Sequence, residues 1–134
     1  MGGKPSPRDR FRKRKKMNVL IVEPGKHPRL ADIDESLESL QKIVGGYIEA
    51  IYLFEDEIAI ICDEELKLKS EIEWNRILPE THDVIKGTFI IAGLGDEDFT
   101  DIIPELAEKD KQCFCYIELF VPTPNGLMSI VIRG

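Results

Sequence analysis

The hydrophobic positions of this chain fall into short segments that have the period of a strand or of a helix. Residues 18–23 (NVLIVE) and 87–94 (GTFIIAGL) are apolar runs bounded by turn-forming residues, a pattern typical of buried strands. Residues 47–54 and 57–63 are further β-rich runs, and the acidic break between them is short enough for a hairpin. The pattern therefore predicts four strands before residue 95.

A helical pattern lies between the predicted strands at residues 18–23 and 47–54. Its apolar members recur at spacings of four, three and four residues: Ile33, Leu37, Leu40 and Val44. Asp32 and Glu35 predict a capping pair at the first turn, because side-chain oxygens accept from the free N–H groups there. Gly45-Gly46 predicts the end of the helix, since glycine readily adopts the left-handed conformation.

Residues 95–112 (GDEDFTDIIPELAEKDKQ) predict a second helix, which Pro104 either breaks or restarts. Asp96, Glu97 and Asp98 would lie around its positive N-terminus and cap it. The preceding Gly-Leu-Gly resembles the start of a dinucleotide fingerprint, but Asp98 stands where the third glycine belongs. Three carboxylates would also repel a pyrophosphate, so capping is the favoured interpretation.

The remaining segments complete an α+β pattern. Residues 64–82 are charged with scattered apolar positions, which predicts a loop containing one helical turn or a short strand. Residues 113–122 and 127–134 alternate in polarity, and Asn125-Gly126 predicts the turn between them. The order is β-α-β-β-(loop)-β-α-β-β. We therefore expect a single α+β domain with two main helices and a mixed or antiparallel sheet.

Charge divides the chain into two parts. Residues 1–16 hold eight basic side chains and one acid, whereas residues 17–134 hold 10 basic and 24 acidic side chains, a net charge of −14. The first part predicts a disordered basic tail able to touch nucleic acid, and the second repels phosphate backbones. The basic run before Met17 is one that purine-rich codons would encode, and a ribosome-binding site is also purine-rich and lies just before its start codon. We therefore also interpret residues 1–16 as a leader translated from a misplaced start. Nucleic-acid binding is expected only if that tail is real.

The reactive residue types predict no cofactor, metal or catalytic site. The three cysteines are odd in number and lie in apolar segments, which favours reduced thiols in a cytoplasmic protein. His27 and His82 stand in separate loops, without metal-ligand spacing or a recognisable nucleophile. Gly25-Lys26 lacks the rest of a phosphate-binding loop. We find neither a signal-peptide pattern nor a run of about 18 apolar residues, so we expect no membrane association.

One polar segment has the residue types of a binding surface. Trp74, Asn75 and Arg76 bring together an indole, an amide and a guanidinium, and tryptophan and arginine are enriched at interface hot spots. The alternative is structural, with Trp74 anchoring a loop to the core and Arg76 pairing with a nearby acid. On the first interpretation, the predicted partner-binding residues are Lys26, Arg29, Tyr47, Tyr52, Trp74, Asn75 and Arg76.

The chain resembles a family of small uncharacterised bacterial and phage proteins, described as a domain of unknown function. The resemblance covers about Met17 to Lys111 and rests on the strings NVLIVEPGKHPRL (18–30), SLESLQKIVGGYIEAIY (36–52) and GTFIIAGLGDEDFTDI (87–102). It implies a cytoplasmic protein of phages, plasmids or conjugative elements, and it supplies no site residues.

We therefore expect a non-enzymatic accessory protein that binds a host or element-encoded protein, in one form as an acidic mimic of nucleic acid. One alternative is a small-ligand or nucleotide sensor that uses the turn at residues 24–29 with Trp74 and Arg76. The other alternative is nucleic-acid binding through the basic tail.

Overall fold

A computed structural model describes residues 16–52, 56–79, 83–95 and 98–133. Its strands are β1 (Lys16–Val22), β2 (Arg29–Asp34), β3 (Glu49–Ile51), β4 (Ile58–Cys62), β5 (Trp74–Ile77), β6 (Val84–Lys86), β7 (Phe89–Leu94), β8 (Phe99–Thr100), β9 (Tyr116–Thr123) and β10 (Gly126–Arg133). Its helices are α1 (Leu37–Val44), α2 (Pro104–Cys113) and a short 3₁₀ helix (Glu64–Leu68). The predicted basic tail lies outside the described residues, except that Lys16 begins β1.

The main sheet has the strand order β2-β1-β7-β4-β3, and β8 pairs with β7. Every pairing among the described strands is antiparallel. Helix α1 covers one face of the sheet through Leu40 and Val44. Helix α2 covers the other through Ala107, and Phe114 follows it there. Strands β4 and β7, and β1 from Val19 onward, are continuous apolar runs because both of their faces are covered. The predicted single α+β domain is confirmed.

The segment after β1 differs from the prediction. Residues 29–34 form strand β2 along β1, and Ile33 belongs to that ladder rather than to a helix. Helix α1 begins after Ser36, whose hydroxyl oxygen accepts a hydrogen bond from the N–H of Ser39 at 3.1 Å. The predicted cap at Asp32 is therefore wrong, because the helical spacing extends by chance into an edge strand. The glycine after α1 ends it in the left-handed conformation (φ +101°), as predicted.

The helix predicted over residues 95–112 begins only at Pro104. The chain before it returns beside β7 as β8, so the capping role of Asp98 is wrong. Asp98 instead closes a turn, where its Oδ1 accepts from the following N–H at 2.9 Å and its carbonyl oxygen accepts from Gly95 at 2.8 Å. The other two acids of that cluster lie outside the described residues. Proline suits the first helical turn because no partner is needed for an N–H there.

The charged segment predicted as a loop contains both a helical turn and a short strand. The 3₁₀ helix begins after Asp63, whose Oδ1 accepts from the N–H of Glu65 at 2.9 Å. Strand β5 pairs with β6 in a second small sheet, and β6 was not predicted. Three residues are too few to show a readable alternation. This sheet packs on the core through Ile85 of β6, and Leu78, the residue after β5, joins the same core. The last residues of the segment, 80–82, lie outside the description.

Strands β9 and β10 form the predicted hairpin. The connecting residues are Pro124 and Asn125, because Gly126 already pairs with Thr123 in the ladder. The predicted turn is therefore shifted by one residue. We call Tyr116–Arg133 the C-terminal hairpin. Its position beside β5 determines the geometry of the candidate site.

Candidate protein-binding cleft

The C-terminal hairpin contacts β5 through alternate residues of β9: Tyr116, Glu118 and Phe120. The ring centroids of Phe120 and Trp74 are 6.2 Å apart. Glu118 is buried, and its Oε1 accepts from the N–H of Ile77 at 2.9 Å. Alternate residues of a strand point to the same face, so one face of the hairpin lies against β5.

A cleft of about 360 Å³ opens where β5 meets the hairpin. Its lining residues are Pro24, Gly25, Ser70, Glu71, Ile72, Glu73, Trp74, Glu118, Leu119 and Phe120. Trp74 and Phe120 are half-buried, whereas Glu71 and Glu73 are exposed. The cleft therefore combines two aromatic rings with carboxylates at its margin. We call it the Trp74 cleft.

The ammonium group of Lys86 already lies over the Trp74 ring, 4.7 Å from its centroid. The same Nζ donates a 2.6 Å hydrogen bond to the carbonyl oxygen of Lys69, so its position is fixed. Aromatic faces attract cations through the negative side of their quadrupole. The indole thus has a local environment that accommodates positive charge.

Asn75 and Arg76, which were predicted to bind a partner, have buried side chains. The Nδ2 of Asn75 donates to the carbonyl oxygens of Val22 at 2.9 Å and Gly87 at 2.7 Å. Its Oδ1 accepts from Nη1 of Arg76 at 2.7 Å. These bonds join the end of β1, strand β5 and the turn before β7, so the amide has a structural role.

The guanidinium of Arg76 joins three segments that are distant in sequence. Its Nη2 donates to the carbonyl oxygens of Lys26 at 2.7 Å, Tyr116 at 2.5 Å and Phe114 at 3.3 Å. Burial lowers the pKa of Arg76 from its ordinary value, although Tyr116 and Glu118 oppose that shift. Burial also raises the pKa of Tyr116 to about 12. Apart from the bond to Oδ1 of Asn75, the hydrogen bonds of Arg76 go to main-chain oxygens, and this residue holds the hairpin to β5 and to the turn after β1.

The other predicted residues are separated on the surface. Trp74 lies near the turn at 24–25, and Lys26 beside that turn is exposed. Arg29 is exposed, with its Nε 3.5 Å from Oε1 of Glu23. Tyr47 lines a different concavity, of about 300 Å³, together with Asp63, Glu65 and Lys69. Tyr52 is also largely exposed.

Of the cleft residues that the sequence reasoning missed, three supply one of its rings and its exposed carboxylates: Glu71, Glu73 and Phe120. Glu71 and Glu73 flank apolar Ile72 immediately before Trp74, but these three residues form a turn and bend ahead of β5, so their alternation does not indicate a strand. Phe120 carries no signal either, because its position beside Trp74 depends on how the hairpin docks on β5.

The reactive side chains of the described residues lie apart from the cleft. Burial, followed by the charges of Glu64 and Glu49, raises the pKa of the Cys62 thiol to about 12. Burial also raises the pKa of Asp110 to about 6. In the described part of the chain, no three His, Cys, Asp or Glu side chains are grouped to hold a metal ion. Within the same residues, no helix is long and apolar enough to cross a membrane.

These features define a single α+β domain in which an aromatic cleft with an acidic margin lies between strand β5 and a C-terminal hairpin. Residues 17–115 match the model of the family "Domain of unknown function (DUF3846)", and the chain belongs to that family. The resemblance to an uncharacterised family is thereby confirmed. No curated protein and no solved structure matches the chain. The C-terminal hairpin begins at the residue after the matched segment.

Proposed function

We propose that this chain is a non-enzymatic, cytoplasmic accessory protein of a phage or other mobile element that acts by binding another protein. The observation that carries the proposal is the Trp74 cleft, where two aromatic rings lie beside exposed carboxylates. Aromatic rings and guanidinium groups are typical of interaction hot spots. The partner, encoded by the host or by the element, presents a basic segment with arginine side chains.

Three properties of the cleft favour a cationic partner group. One face of the Trp74 ring already holds the ammonium of Lys86 at 4.7 Å, and a partner guanidinium would contact the ring surface that lines the cleft. Glu71 and Glu73 supply carboxylates that accept charge-assisted hydrogen bonds from arginine. The net charge of −14 over residues 17–134 steers a basic surface toward the chain. One form of this function is mimicry of nucleic-acid charge toward a protein with a basic groove.

The single tryptophan of the chain provides the test. Titration with an arginine-rich peptide, followed by Trp74 fluorescence, should show saturable binding that weakens as salt is added. The double variant Glu71→Gln/Glu73→Gln should weaken binding about tenfold. The matched control Glu35→Gln/Glu105→Gln removes the same charge at exposed positions outside the cleft and should bind as the parent does. Equal loss in both variants, or no saturation, would reject the cleft as the binding site.

A second candidate function is recognition of a small ligand, which the volume of the cleft favours. Small-molecule sites begin at about 300 Å³, and the Trp74 cleft measures about 360 Å³. Carboxylates at its margin repel phosphate groups, so the ligand would be a small cation rather than a nucleotide. Arg76, proposed from sequence for this sensor, is buried and bound to main-chain oxygens. A metabolite that co-purifies with the chain and is identified by mass spectrometry would favour this function over a protein partner.

Nucleic-acid binding through residues 1–16 remains a prediction, since almost all of that tail lies outside the described residues. Binding of DNA or RNA by the full chain, lost when residues 1–16 are deleted, would favour it. Retention of binding after the deletion would exclude the tail as the contact.

A further inference from the structure

The C-terminal hairpin has one face made entirely of apolar side chains. These form three cross-strand pairs: Ile117 with Ile132, Leu119 with Ile130, and Val121 with Met128. The opposite face carries the residues that contact β5, so this apolar face points away from the domain. Five of the six side chains expose 38–48% of their surface, and Ile117 is partly buried. We call these six residues the apolar hairpin face.

This arrangement reverses the usual orientation of a two-stranded sheet. The hairpin face that carries both polar and aromatic residues (Tyr116, Glu118 and Phe120) packs on the domain. The uniformly apolar face is exposed to solvent. Scattered apolar residues on a surface are ordinary, but a contiguous patch marks an interaction site. Within the described part of the chain, β10 pairs with β9 alone, and nothing covers the face.

We propose that the apolar hairpin face binds the same face of a second copy of this chain, forming a dimer with two-fold symmetry. The first argument is charge. Residues 116–133 contain one acid, Glu118, and one base, Arg133, so the hairpin is neutral. The net charge of −14 therefore resides in residues 17–115, which repel another copy. Two copies meet with least repulsion at their hairpins.

The second argument is self-complementarity. An isologous interface needs one patch that fits itself, and a face without charged or hydrogen-bonding side chains leaves no such group unpaired when two copies meet. A basic partner would gain no ion pair from it. Two such faces can pack as two layers of a sandwich about 10 Å apart, with their side chains interdigitated.

The third argument is area. Six side chains of this size and exposure present roughly 500 Å² per copy, so contact between two copies buries about 1,000 Å², the lower bound for a specific interface. An interface of that size predicts a dimer whose population depends on concentration. Leu119 belongs to this face and also lines the Trp74 cleft, whereas Ile130, Glu71 and Glu73 each belong to one site alone. Variants at those three residues therefore test dimerisation and partner binding separately.

Sedimentation equilibrium of the full chain over a wide range of concentrations tests the proposal. We expect a reversible monomer–dimer equilibrium. Ile130→Glu places a carboxylate on the face and should raise the dimer dissociation constant by at least tenfold. The matched control Leu127→Glu makes the same kind of change at an equally exposed residue on the opposite face, and it should leave the constant within about twofold.

Circular dichroism and Trp74 fluorescence show whether the variants keep the fold. If Ile130→Glu loses it, Ile130→Thr replaces it, because threonine is also β-branched and favours a strand. A full chain that is monomeric at every concentration overturns the proposal. A dimer dissociation constant that folded Ile130 variants leave unchanged also overturns it. An equal increase of that constant by Leu127→Glu overturns it as well. A dimer that survives while the peptide titration fails would separate this inference from the proposed function.

Discussion

The guanidinium of Arg76 lies over the ring of Tyr116, 5.2 Å from its centroid, and donates a 2.5 Å hydrogen bond to the carbonyl oxygen of the same residue. The ring contact is a cation–π interaction and the hydrogen bond is charge-assisted. Arg76 therefore fixes both the side chain and the main chain of the first hairpin residue. Trp74 shares strand β5 with Arg76, and Phe120 shares strand β9 with Tyr116. The contacts between Arg76 and Tyr116 therefore also set the position of Phe120 across the cleft from Trp74.

Arg76→Lys should lower the free energy of unfolding by about 3 kcal/mol, since a lysine ammonium cannot reach the several carbonyl oxygens that the planar fork contacts. Urea denaturation followed by Trp74 fluorescence measures the loss. Arg29→Lys, at an exposed ion pair, should change stability by no more than about 0.5 kcal/mol. A loss of the same small size at Arg76 would show that its main-chain contacts do not hold the hairpin.

Asp110→Asn should stabilise the protein at neutral pH. The carboxyl is fully buried, and neither of its oxygens accepts a hydrogen bond from the described residues. Burial, assisted by the charge of Asp56, raises its pKa from 3.8 to about 6, while Lys109 opposes the shift. The folded protein therefore holds the proton more tightly than the unfolded chain.

That pKa difference fixes the direction of the pH dependence. The stabilising contribution of the protonated carboxyl is complete below pH 3.8 and is lost as the pH rises through about 6. The variant should match the parent near pH 4 and exceed it by about 2 kcal/mol at pH 7. Urea titrations at several pH values measure this difference. Glu105→Gln, at an exposed position on the same helix, should show none of it, and a pH-independent difference at Asp110 would contradict the prediction.

Gly93→Ala should destabilise the protein by about 2 kcal/mol or more. A Cβ at this position would lie 2.1 Å from the carbonyl oxygen of Asp101. The backbone at Asp101 cannot move away easily, because two hydrogen bonds hold it to Asn18. Oδ1 of Asp101 accepts from the N–H of Asn18 at 2.8 Å, and the N–H of Ile102 donates to the carbonyl oxygen of Asn18 at 2.9 Å. Thermal unfolding provides the measurement. At Gly95 the nearest atom is 3.0 Å away, so Gly95→Ala should cost less.

Cys62 should resist alkylation in the folded protein. A thiol whose pKa is about 12 instead of 9.0 has roughly a thousandfold less thiolate at pH 8. Iodoacetamide labelling with site-resolved mass spectrometry should modify Cys62 far more slowly in buffer than in concentrated urea. Equal rates in the two solvents would show that the strand does not protect the thiol.

The parts of this fold that were predictable are those whose pattern is local. The apolar runs of β1, β4 and β7 and the alternation in the hairpin appear in the sequence because each strand meets a covered face or a regular ladder. Strand β2 was missed because it is an edge strand with polar residues, and Ile33 happens to stand at helical spacing from Leu37. The acids near residue 96 suggested the start of a helix, but α2 begins at Pro104.

The candidate site could be predicted only in part. Trp74 was identified by its residue type and lies in the cleft. The same reasoning selected Asn75 and Arg76, whose side chains are buried, because composition does not show the direction in which a strand residue points. Phe120 reaches Trp74 through tertiary docking of the hairpin, and a sequence pattern does not contain that contact.

The hydrogen bonds that Nη2 of Arg76 donates to main-chain oxygens also constrain the order of events during synthesis. Its partners at Phe114 and Tyr116 follow it by 38 and 40 residues. At ribosomal elongation speeds of about 5–20 residues per second, those carbonyl groups are made roughly two to eight seconds later. Throughout that interval the arginine lacks two of its main-chain acceptors, and β5 has no hairpin to pack against. Closure of the C-terminal side of the domain therefore cannot precede synthesis of the hairpin.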